Sequence, residues 1–320
     1  MIDKTFLKHL IKFPISRTSR NYIRDYQSKI KLIMTLVVKD EEDIIEQNIR
    51  FHCAMGCDGF IVSSHNSTDN TNKILEKLKE EGLVLEIIYR TSPNHQLNVW
   101  VNEMVQIAKK KYKADWCINA DADEFYYSNS LDLKKSIIKD TAGWANVLIV
   151  DSNFLFPDDK KNYLTDSYYF VTKPFQQFEA EQLNLKDEYY KIFIGSQGCT
   201  KVIHSTKGNP RCQKGNHSIK MDKLKMISST DIRLFHYHIK NYEKYVAKVI
   251  KWKESVKYKP AGEGEHLKKM IELYDNGKLF DDYNSLYGED MRRFLIEQGV
   301  VSIDKSVSNF LKFKNITRKY

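Results

Sequence analysis

Two aspartates separated by a single residue, Asp121 and Asp123, are the first candidates for chemistry in this sequence. Residues i and i+2 of an extended segment point to the same side, so both carboxylates can face one ligand. Carboxylate oxygens suit a divalent cation that keeps other positions open for phosphate oxygens. Isolated pairs of this kind are commonly exposed acidic turns, but here an apolar run precedes the pair. We therefore predict a site for Mn or Mg at these two residues.

The residues around this pair predict the elements that must position it. Short apolar runs alternate with amphipathic stretches, which is typical of a parallel sheet covered by helices. The runs predict strands at 31–38, 59–63, 83–89, 114–119 and 146–156, and the amphipathic stretches predict helices after Asp40, at 70–80 and at 97–111. Such sheets bind ligands beyond the carboxyl ends of their strands, and the aspartate pair lies at such an end.

Four ordered motifs extend this interpretation. They are V-K-D-E-E at 38–42, N-S-T-D-N-T at 66–71, D-A-D-E-F at 121–125 and F-H-Y-H at 235–238. Together they resemble family 2-type glycosyltransferases of the GT-A fold, over about residues 31–250. The resemblance implies an α/β fold of the GT-A type, in which a Rossmann-like, mostly parallel sheet is flanked by helices and followed by a helical C-terminal region.

The resemblance also implies a reaction. The chain would move a sugar from a nucleotide-sugar donor, a UDP-sugar by default, to an acceptor hydroxyl, with inversion and with Mn or Mg as the cofactor. Donor binding is implied for Val38, Glu41, Asn66, Asp69, Asn102 and Asp121, and metal binding for Asp121, Asp123, His236 and His238. Alternatively, the two histidines form a buried pair that hydrogen-bonds to the backbone. Asp69 is in addition the predicted N-cap of the helix that follows it.

Inverting transfer needs a group that removes the proton of the acceptor hydroxyl. The stretch K-G-N-H at 214–217 is similar to a Gly-x-His segment of the family, so we predict His217 as the general base. Asp151 and His204 are the other candidates. Asp151 follows a predicted strand and could instead cap a turn.

The positive charge of the chain is concentrated on both sides of the predicted site. Lys and Arg number 51 against 42 Asp and Glu, and the net charge of +9 favours an anionic partner. Residues 1–30 predict either an amphipathic helix on an anionic membrane or a basic helix packed on the domain. Residues 240–259 predict a lysine-rich helix. Its inner face would be Tyr245, Val246, Val249 and Ile250, and its solvent face Lys244, Lys248 and Lys251.

We accordingly divide the chain into a basic N-terminal segment at 1–30, a nucleotide-sugar-binding and catalytic domain at 31–240 and a basic, mostly helical region at 241–320. No stretch approaches the roughly 20 apolar residues of a bilayer-spanning helix. The acceptor is predicted to be a saccharide or a lipid-linked molecule. Nucleic acid is not a predicted partner, because helix-turn-helix, RNP-type and zinc-knuckle patterns are absent from the sequence.

The predicted setting is bacterial surface polysaccharide or glycoconjugate synthesis. Five dispersed cysteines favour a reducing cytoplasm, with peripheral binding at the inner face of the membrane. Two other functions remain open at this point. One is a metal-dependent nucleotidyltransferase, which also uses paired aspartates on a doubly wound sheet. The other is a non-catalytic carbohydrate-binding protein on the same scaffold.

Overall fold

The computed structural model describes residues 30–92, 96–173, 200–255 and 265–316 of the 320-residue chain. The basic N-terminal segment predicted at residues 1–30 lies outside these ranges, apart from Ile30, whose side chain is buried. Across the described ranges, no helix combines the length and the apolar character that crossing a membrane requires.

Strands and helices alternate through the first half of the chain, and helices dominate the last quarter. The strands are β1 (Leu32–Val38), β2 (Gly59–His65), β3 (Val84–Arg90), β4 (Trp116–Asp121), β5 (Glu124–Ser128), β6 (Val147–Leu155), β7 (Tyr169–Val171), β8 (Thr200–Ser205), β9 (Arg211–Cys212), β10 (Ile219–Lys220), β11 (Met226–Ser228), β12 (Ile232–His236) and β13 (Val301–Ile303). The helices are α1 (Ile45–Ala54), α2 (Thr71–Glu80), α3 (Leu97–Lys110), α4 (Leu133–Thr141), α5 (Tyr242–Ser255), α6 (Glu265–Asp275), α7 (Leu279–Tyr287), α8 (Glu289–Glu297) and α9 (Ser306–Phe313).

Among the described residues, eleven strands form one sheet whose order along the main path is β13-β7-β6-β8-β4-β1-β2-β3. Strand β1 pairs in parallel with β2 and with β4, and β2 pairs in parallel with β3. Strand β8 lies antiparallel between β4 and β6, while β12 joins β5 to β6. The short strands β9 and β10 form a separate hairpin, and a single 3₁₀ turn at Lys214–Asn216 lies between them.

The apolar runs form strands because helices cover both faces of the parallel part of the sheet. All of β2 is buried, and all of β1 except Val37. Strands buried on both faces read as nearly continuous apolar sequence, which is the pattern that predicted them. One core lies between the sheet and helices α1, α2, α4 and α9, and another lies under α3. The predicted α/β architecture, a mostly parallel sheet flanked by helices, is confirmed.

The C-terminal part packs as a helical layer of its own. Side chains from α5 to α8 form a third core with Phe156 and Val171 from the sheet region. Strand β13 returns to the sheet and pairs antiparallel with β7 at its edge. The predicted helical C-terminal region is confirmed.

The end of β4 differs from the sequence prediction in a way that matters for the site. Asp121 is the last residue of this strand, and Asp123 lies in the turn that leads to β5. We predicted that the two carboxylates belong to one extended segment, and this prediction is wrong. The turn points the side chains of Asp121 and Asp123 in different directions.

Candidate functional site

The loops after β1 and β2 are tied together where these parallel strands end. Asp40 has a left-handed backbone (φ 53°), and its Oδ1 accepts hydrogen bonds from the Thr68 backbone nitrogen at 2.7 Å and hydroxyl at 3.2 Å. Glu42 Oε2 accepts from the Asn70 backbone nitrogen at 2.9 Å. Asp69 Oδ2 in turn accepts from the Glu42 backbone nitrogen at 3.1 Å. These bonds fix two acidic loops at the edge where α/β sheets bind ligands.

Three of the predicted donor-binding residues lie at this edge. Val38 is buried at the end of β1, and Asn66 is exposed directly after β2 with a left-handed backbone (φ 49°). Asp69 lies in the loop before α2, but it is not the N-cap. Asn70 holds that position, and Asp69 Oδ1 accepts from the Thr71 backbone nitrogen at 2.9 Å. The predicted cap was one residue early because the aspartate side chain reaches past Asn70 to the first helical N–H.

Two further candidates, Asn102 and His204, make contacts that keep them out of their predicted roles. Asn102 Oδ1 accepts from the Cys212 backbone nitrogen at 2.8 Å and its Nδ2 donates to the Cys212 carbonyl at 3.1 Å, so this amide holds β9 against α3. His204 is fully buried, and its Nε2 accepts from Asn119 Nδ2 at 2.9 Å. Burial lowers the pKa of His204 to about 4. A histidine inside the core cannot reach an acceptor hydroxyl, so His204 is not the catalytic base.

Asp121 lies beside a buried lysine. Lys201 Nζ, from β8, is 2.9 Å from Glu124 Oε1 and 3.3 Å from Asp121 Oδ2. Burial raises the pKa of Glu124, and the charge of Lys201 opposes that effect. For Lys201, burial alone would lower the pKa, but Glu124 and Asp121 hold it above its ordinary value. The lysine therefore stays protonated and orients Asp121, whose side chain is 40% exposed.

Asp123 faces two histidines at the end of β12. His236 Nε2 is 3.3 Å from Asp123 Oδ1, and the ring centroids of His236 and His238 are 5.3 Å apart. One ligand atom from each of the three residues lies within 4.8 Å of the others. Burial alone would raise the pKa of Asp123, but His236 and Lys248 hold it well below its usual range. Three of the four predicted metal ligands thus come together, and Asp121 lies outside this group.

Helix α5 carries three lysines close to acids of the site; Lys244 and Lys251 are exposed, as predicted, whereas Lys248 is half-buried. Three ion pairs of 3.3 to 3.8 Å connect the helix to the site: Lys244–Asp43, Lys248–Asp123 and Lys251–Asp40. The predicted inner face is right for Tyr245 and Val249, which are buried, but Ile250 is 44% exposed. A spacing of four and three residues places the lysines on one helix face, and the acids that attract this face are distant in sequence.

A second buried lysine, Lys240, lies between β12 and α5. Its Nζ is 3.0 Å from Asp43 Oδ1 and 3.4 Å from Glu41 Oε2. Tyr163 covers this group, since its ring centroid is 5.4 Å from Nζ and its hydroxyl donates to the Asp43 carbonyl at 3.1 Å. Burial raises the pKa of Glu41 to about 7, against the opposing charge of Lys240. Glu41 therefore holds a proton more readily than an exposed glutamate does.

The base candidates His217 and Asp151 both neighbour Thr200, the first residue of β8. Thr200 is paired with Asp151 across the strands, and its carbonyl oxygen is 2.8 Å from His217 Nδ1. Gly215 (φ 72°) lets the imidazole lie across the turn, because a Cβ there would be 2.6 Å from His217 Cδ2. Partial desolvation lowers the pKa of His217, and the charge of Lys201 lowers it further. The ring thus lies within electrostatic reach of the acidic site, and both candidates are exposed to solvent.

Sequence reasoning did not identify the two buried lysines of this site. Lys201 is 80 positions from Asp121, and Lys240 is 199 positions from Glu41. A signal exists for Lys240, because it follows the F-H-Y-H motif by two residues. We find no comparable local signal for Lys201, whose position depends on the pairing of β8 with β4.

Comparison with known protein families gives one match. Residues 35–278, about three quarters of the chain, match the profile of glycosyltransferase family 92. The predicted glycosyltransferase activity is confirmed at this level, whereas the assignment to family 2 is not. No curated protein matches the chain.

Two solved structures are similar to parts of this chain at low identity. Residues 1–349 of TarS from S. aureus are 11% identical, with a TM-score of 0.37 over 80% of this chain and 72% of that chain. Glucosyl-3-phosphoglycerate synthase from Mycobacterium tuberculosis, in complex with Mn²⁺, UDP and glucosyl-3-phosphoglycerate, is 11% identical, with a TM-score of 0.32 over 58% of this chain and 61% of that chain. This chain therefore spans less than two thirds of the synthase. Similarity at this level carries no conclusion about ligands.

Proposed function

The chain belongs to glycosyltransferase family 92, and we propose that it transfers a sugar from a nucleotide-sugar donor, a UDP-sugar by default, to an acceptor hydroxyl with inversion. The family match over residues 35–278 carries this proposal and favours sugar transfer over nucleotidyl transfer. The acidic loops at the carboxyl edge of a parallel sheet support a GT-A type arrangement, because such edges bind nucleotides.

The divalent cation belongs at Asp123, His236 and His238 in this proposal. The three ligand atoms lie close enough to share one ion, and the set combines a carboxylate with two imidazoles. Imidazole suits transition metals, whereas Mg²⁺ prefers oxygen ligands, so the cluster fits Mn²⁺ better than Mg²⁺. Bound there, the cation would neutralise charge on the leaving diphosphate. Asp121, oriented by Lys201, binds the donor next to it.

The loops after β1 and β2 hold the rest of the donor. Val38, Glu41 and Asn66 lie at the ends of these strands, and the bonds between the loops keep this edge rigid. Asp69 shapes the loop, since each of its oxygens accepts a backbone hydrogen bond. We leave Asn102 out of the donor site, because its amide is paired with the Cys212 backbone.

His217 serves as the general base in this proposal. A carbonyl oxygen only accepts hydrogen bonds, so the contact with Thr200 puts the hydrogen on His217 Nδ1. In the neutral ring, Nε2 is then the basic nitrogen that takes the acceptor proton. Asp151 on the neighbouring strand is the second choice.

The acceptor is a saccharide or a lipid-linked molecule in this proposal, and the setting is surface polysaccharide synthesis at the inner face of a bacterial membrane. A net charge of +9 favours such anionic surfaces. Cys53, Cys57, Cys117 and Cys212 form no disulfide among the described residues, and the compartment that we propose is a reducing cytoplasm. The catalytic unit that we assign to 31–240 extends functionally into α5, whose lysines contact the site.

A panel of UDP-, GDP-, CDP- and CMP-sugars tests the proposed function. We expect Mn²⁺-dependent release of one nucleotide by the full chain, and none in excess EDTA. The matched control is Asp123→Asn, which keeps the side-chain shape and loses the anionic ligand. If no member of the panel releases nucleotide or raises the melting temperature with Mn²⁺, the proposal is wrong.

A further inference from the structure

The side chain of Lys248 contacts two of the three candidate metal ligands. Its Nζ donates to the His238 carbonyl at 3.0 Å, is 3.3 Å from His238 Nδ1 and is 3.8 Å from Asp123 Oδ2. An ammonium group only donates, so Nδ1 of His238 is the acceptor and its lone pair points at Nζ. The ammonium thus uses two of the three residues that a divalent cation would need.

We propose that the Lys248 ammonium occupies the cation position beside Asp123 and His238 until a divalent cation displaces it, and that the displaced ammonium then pairs with the donor diphosphate. This inference rests on the proposed function, since it assumes that the cation binds at Asp123, His236 and His238. It adds a residue that sets how tightly the cation is held and couples the cation to the donor.

Electrostatic repulsion between the divalent cation and the Lys248 ammonium drives the exchange. A dication on Asp123 and His238 would lie within a few ångströms of an ammonium that kept its present contacts, and like charges at that distance repel strongly. Lysine is a compact point charge on a flexible four-carbon stem, so it can leave without moving the helix. The Lys248 side chain is 32% exposed, which gives its Nζ a route toward a ligand entering from solvent.

The neighbouring lysines of α5 provide the contrast. Lys244 pairs with Asp43, and Lys251 pairs with Asp40 at 3.4 Å. Neither acid belongs to the group of metal ligands. Removing Lys251 therefore changes the charge of the same helix face by the same amount without freeing a metal ligand.

The inference predicts opposite effects on the two ligands. Lys248→Met should bind Mn²⁺ alone about tenfold more tightly, because the cation no longer has to displace a charged hydrogen-bonded group. The same variant should bind UDP about tenfold more weakly when Mn²⁺ is saturating, because the diphosphate loses the displaced ammonium. Lys248→Arg keeps the charge and should not tighten Mn²⁺ binding.

Two binding measurements on the full chain decide the matter. Electron paramagnetic resonance of free Mn²⁺ gives the metal affinity, and calorimetry with UDP at saturating Mn²⁺ gives the nucleotide affinity. Wild type, Lys248→Met, Lys248→Arg and the control Lys251→Met are compared. Tighter Mn²⁺ binding and weaker UDP binding in Lys248→Met alone supports the inference.

The outcomes against it are distinguishable from failure of the proposed function. If wild type binds Mn²⁺ and Lys248→Met binds it with the same or lower affinity, the displacement is wrong and the metal site stands. Equal tightening in Lys251→Met shows a general charge effect and also overturns the inference. If wild type binds no Mn²⁺, both the metal site and the displacement fall.

Discussion

Asp121 and Asp123 are two positions apart, yet their carboxylates meet different partners: Asp121 is 3.3 Å from Lys201, and Asp123 is 3.3 Å from His236. Alternation along an extended segment predicts that the pair shares one ligand. The turn after β4 instead carries Asp123 toward the end of β12, which pairs with β5. Residue types and spacing predicted both aspartates as site residues, and the family resemblance implied both histidines. The division between them depends on pairing of distant strands, which a motif does not record.

Asp123→Asn tests this division. The amide keeps the shape but removes the negative charge, so Mn²⁺ affinity and sugar transfer should fall together, transfer by about two to three orders of magnitude. Asp121→Asn should weaken donor binding more than Mn²⁺ binding, because Asp121 lies outside the group of metal ligands. Steady-state kinetics and Mn²⁺ titration measure both. Equal loss of Mn²⁺ affinity in the two variants would show that both aspartates ligate the ion.

The role of His217 as the base predicts how activity depends on pH. The base must be neutral to accept a proton, and desolvation lowers its pKa from the ordinary 6.5. Activity should therefore rise with pH through an acid limb that lies below 6.5. His217→Ala should lower kcat by about 10²- to 10⁴-fold, the usual contribution of general-base catalysis.

His217→Gln is the matched variant for this prediction, since glutamine hydrogen-bonds but cannot take a proton. We expect it to be nearly as slow as His217→Ala and to lack the acid limb. The measurement is a pH–rate profile of kcat with donor affinity determined separately. A rise in KM with little change in kcat would instead make His217 a binding residue, and Asp151 would become the candidate base.

At the scale of elements, the parallel strands were predictable and β8 was not. Strands β1 to β4 are short apolar runs that lie within two residues of their predicted bounds, and the first three are each followed by a helix. Strand β8, T-K-V-I-H-S at Thr200–Ser205, follows a tyrosine-rich stretch without regular periodicity. Its place between β4 and β6 is set by antiparallel pairing with strands more than 40 residues away. This strand brings Lys201 to the site, so the missed strand and the missed lysine have one cause.

The junction between β12 and α5 gives a prediction for stability. Lys240 is 10% exposed and contacts Asp43 and Glu41, whereas Lys244 is 45% exposed and pairs with Asp43. Lys240→Met should lower the free energy of unfolding by up to about 3–5 kcal/mol, because it leaves the half-buried Glu41 without its nearest counter-charge and leaves Asp43 with Lys244 alone. Lys244→Met should cost about 0–1 kcal/mol, as exposed pairs do.

Urea unfolding of the two variants and wild type provides the comparison. Both substitutions remove one charge and keep an unbranched apolar side chain, so the difference isolates burial. If the two variants unfold at the same urea concentration, the buried lysine is not what holds α5 to the site.

At the scale of the whole molecule, the core carries two histidines that the fold keeps neutral. His52 Nδ1 is 2.9 Å from the Asn48 carbonyl and its Nε2 accepts from the Tyr126 backbone nitrogen at 2.9 Å. His204 has the same arrangement, with Nδ1 3.0 Å from the Ser205 carbonyl and Nε2 accepting from an asparagine amide. A proton on Nε2 would face a donor instead of an acceptor. Burial lowers the pKa of His52 to about 3 and that of His204 to about 4.

These two histidines predict how the stability of the protein depends on pH. In the unfolded chain each histidine binds a proton near its ordinary pKa of 6.5. In the folded chain each binds a proton only at a much lower pH. Below pH 6.5 the unfolded state therefore holds more protons, and stability falls by up to about 1.4 kcal/mol per pH unit for each histidine. For His204 the window runs from 6.5 down to about 4.

His204→Gln, which cannot titrate, should reduce the slope of the unfolding free energy between pH 6 and 4.5 by one proton, and His52→Gln should do the same. Urea titrations at several pH values measure this slope, and a slope unchanged in both variants would show that carboxylates alone cause the acid sensitivity.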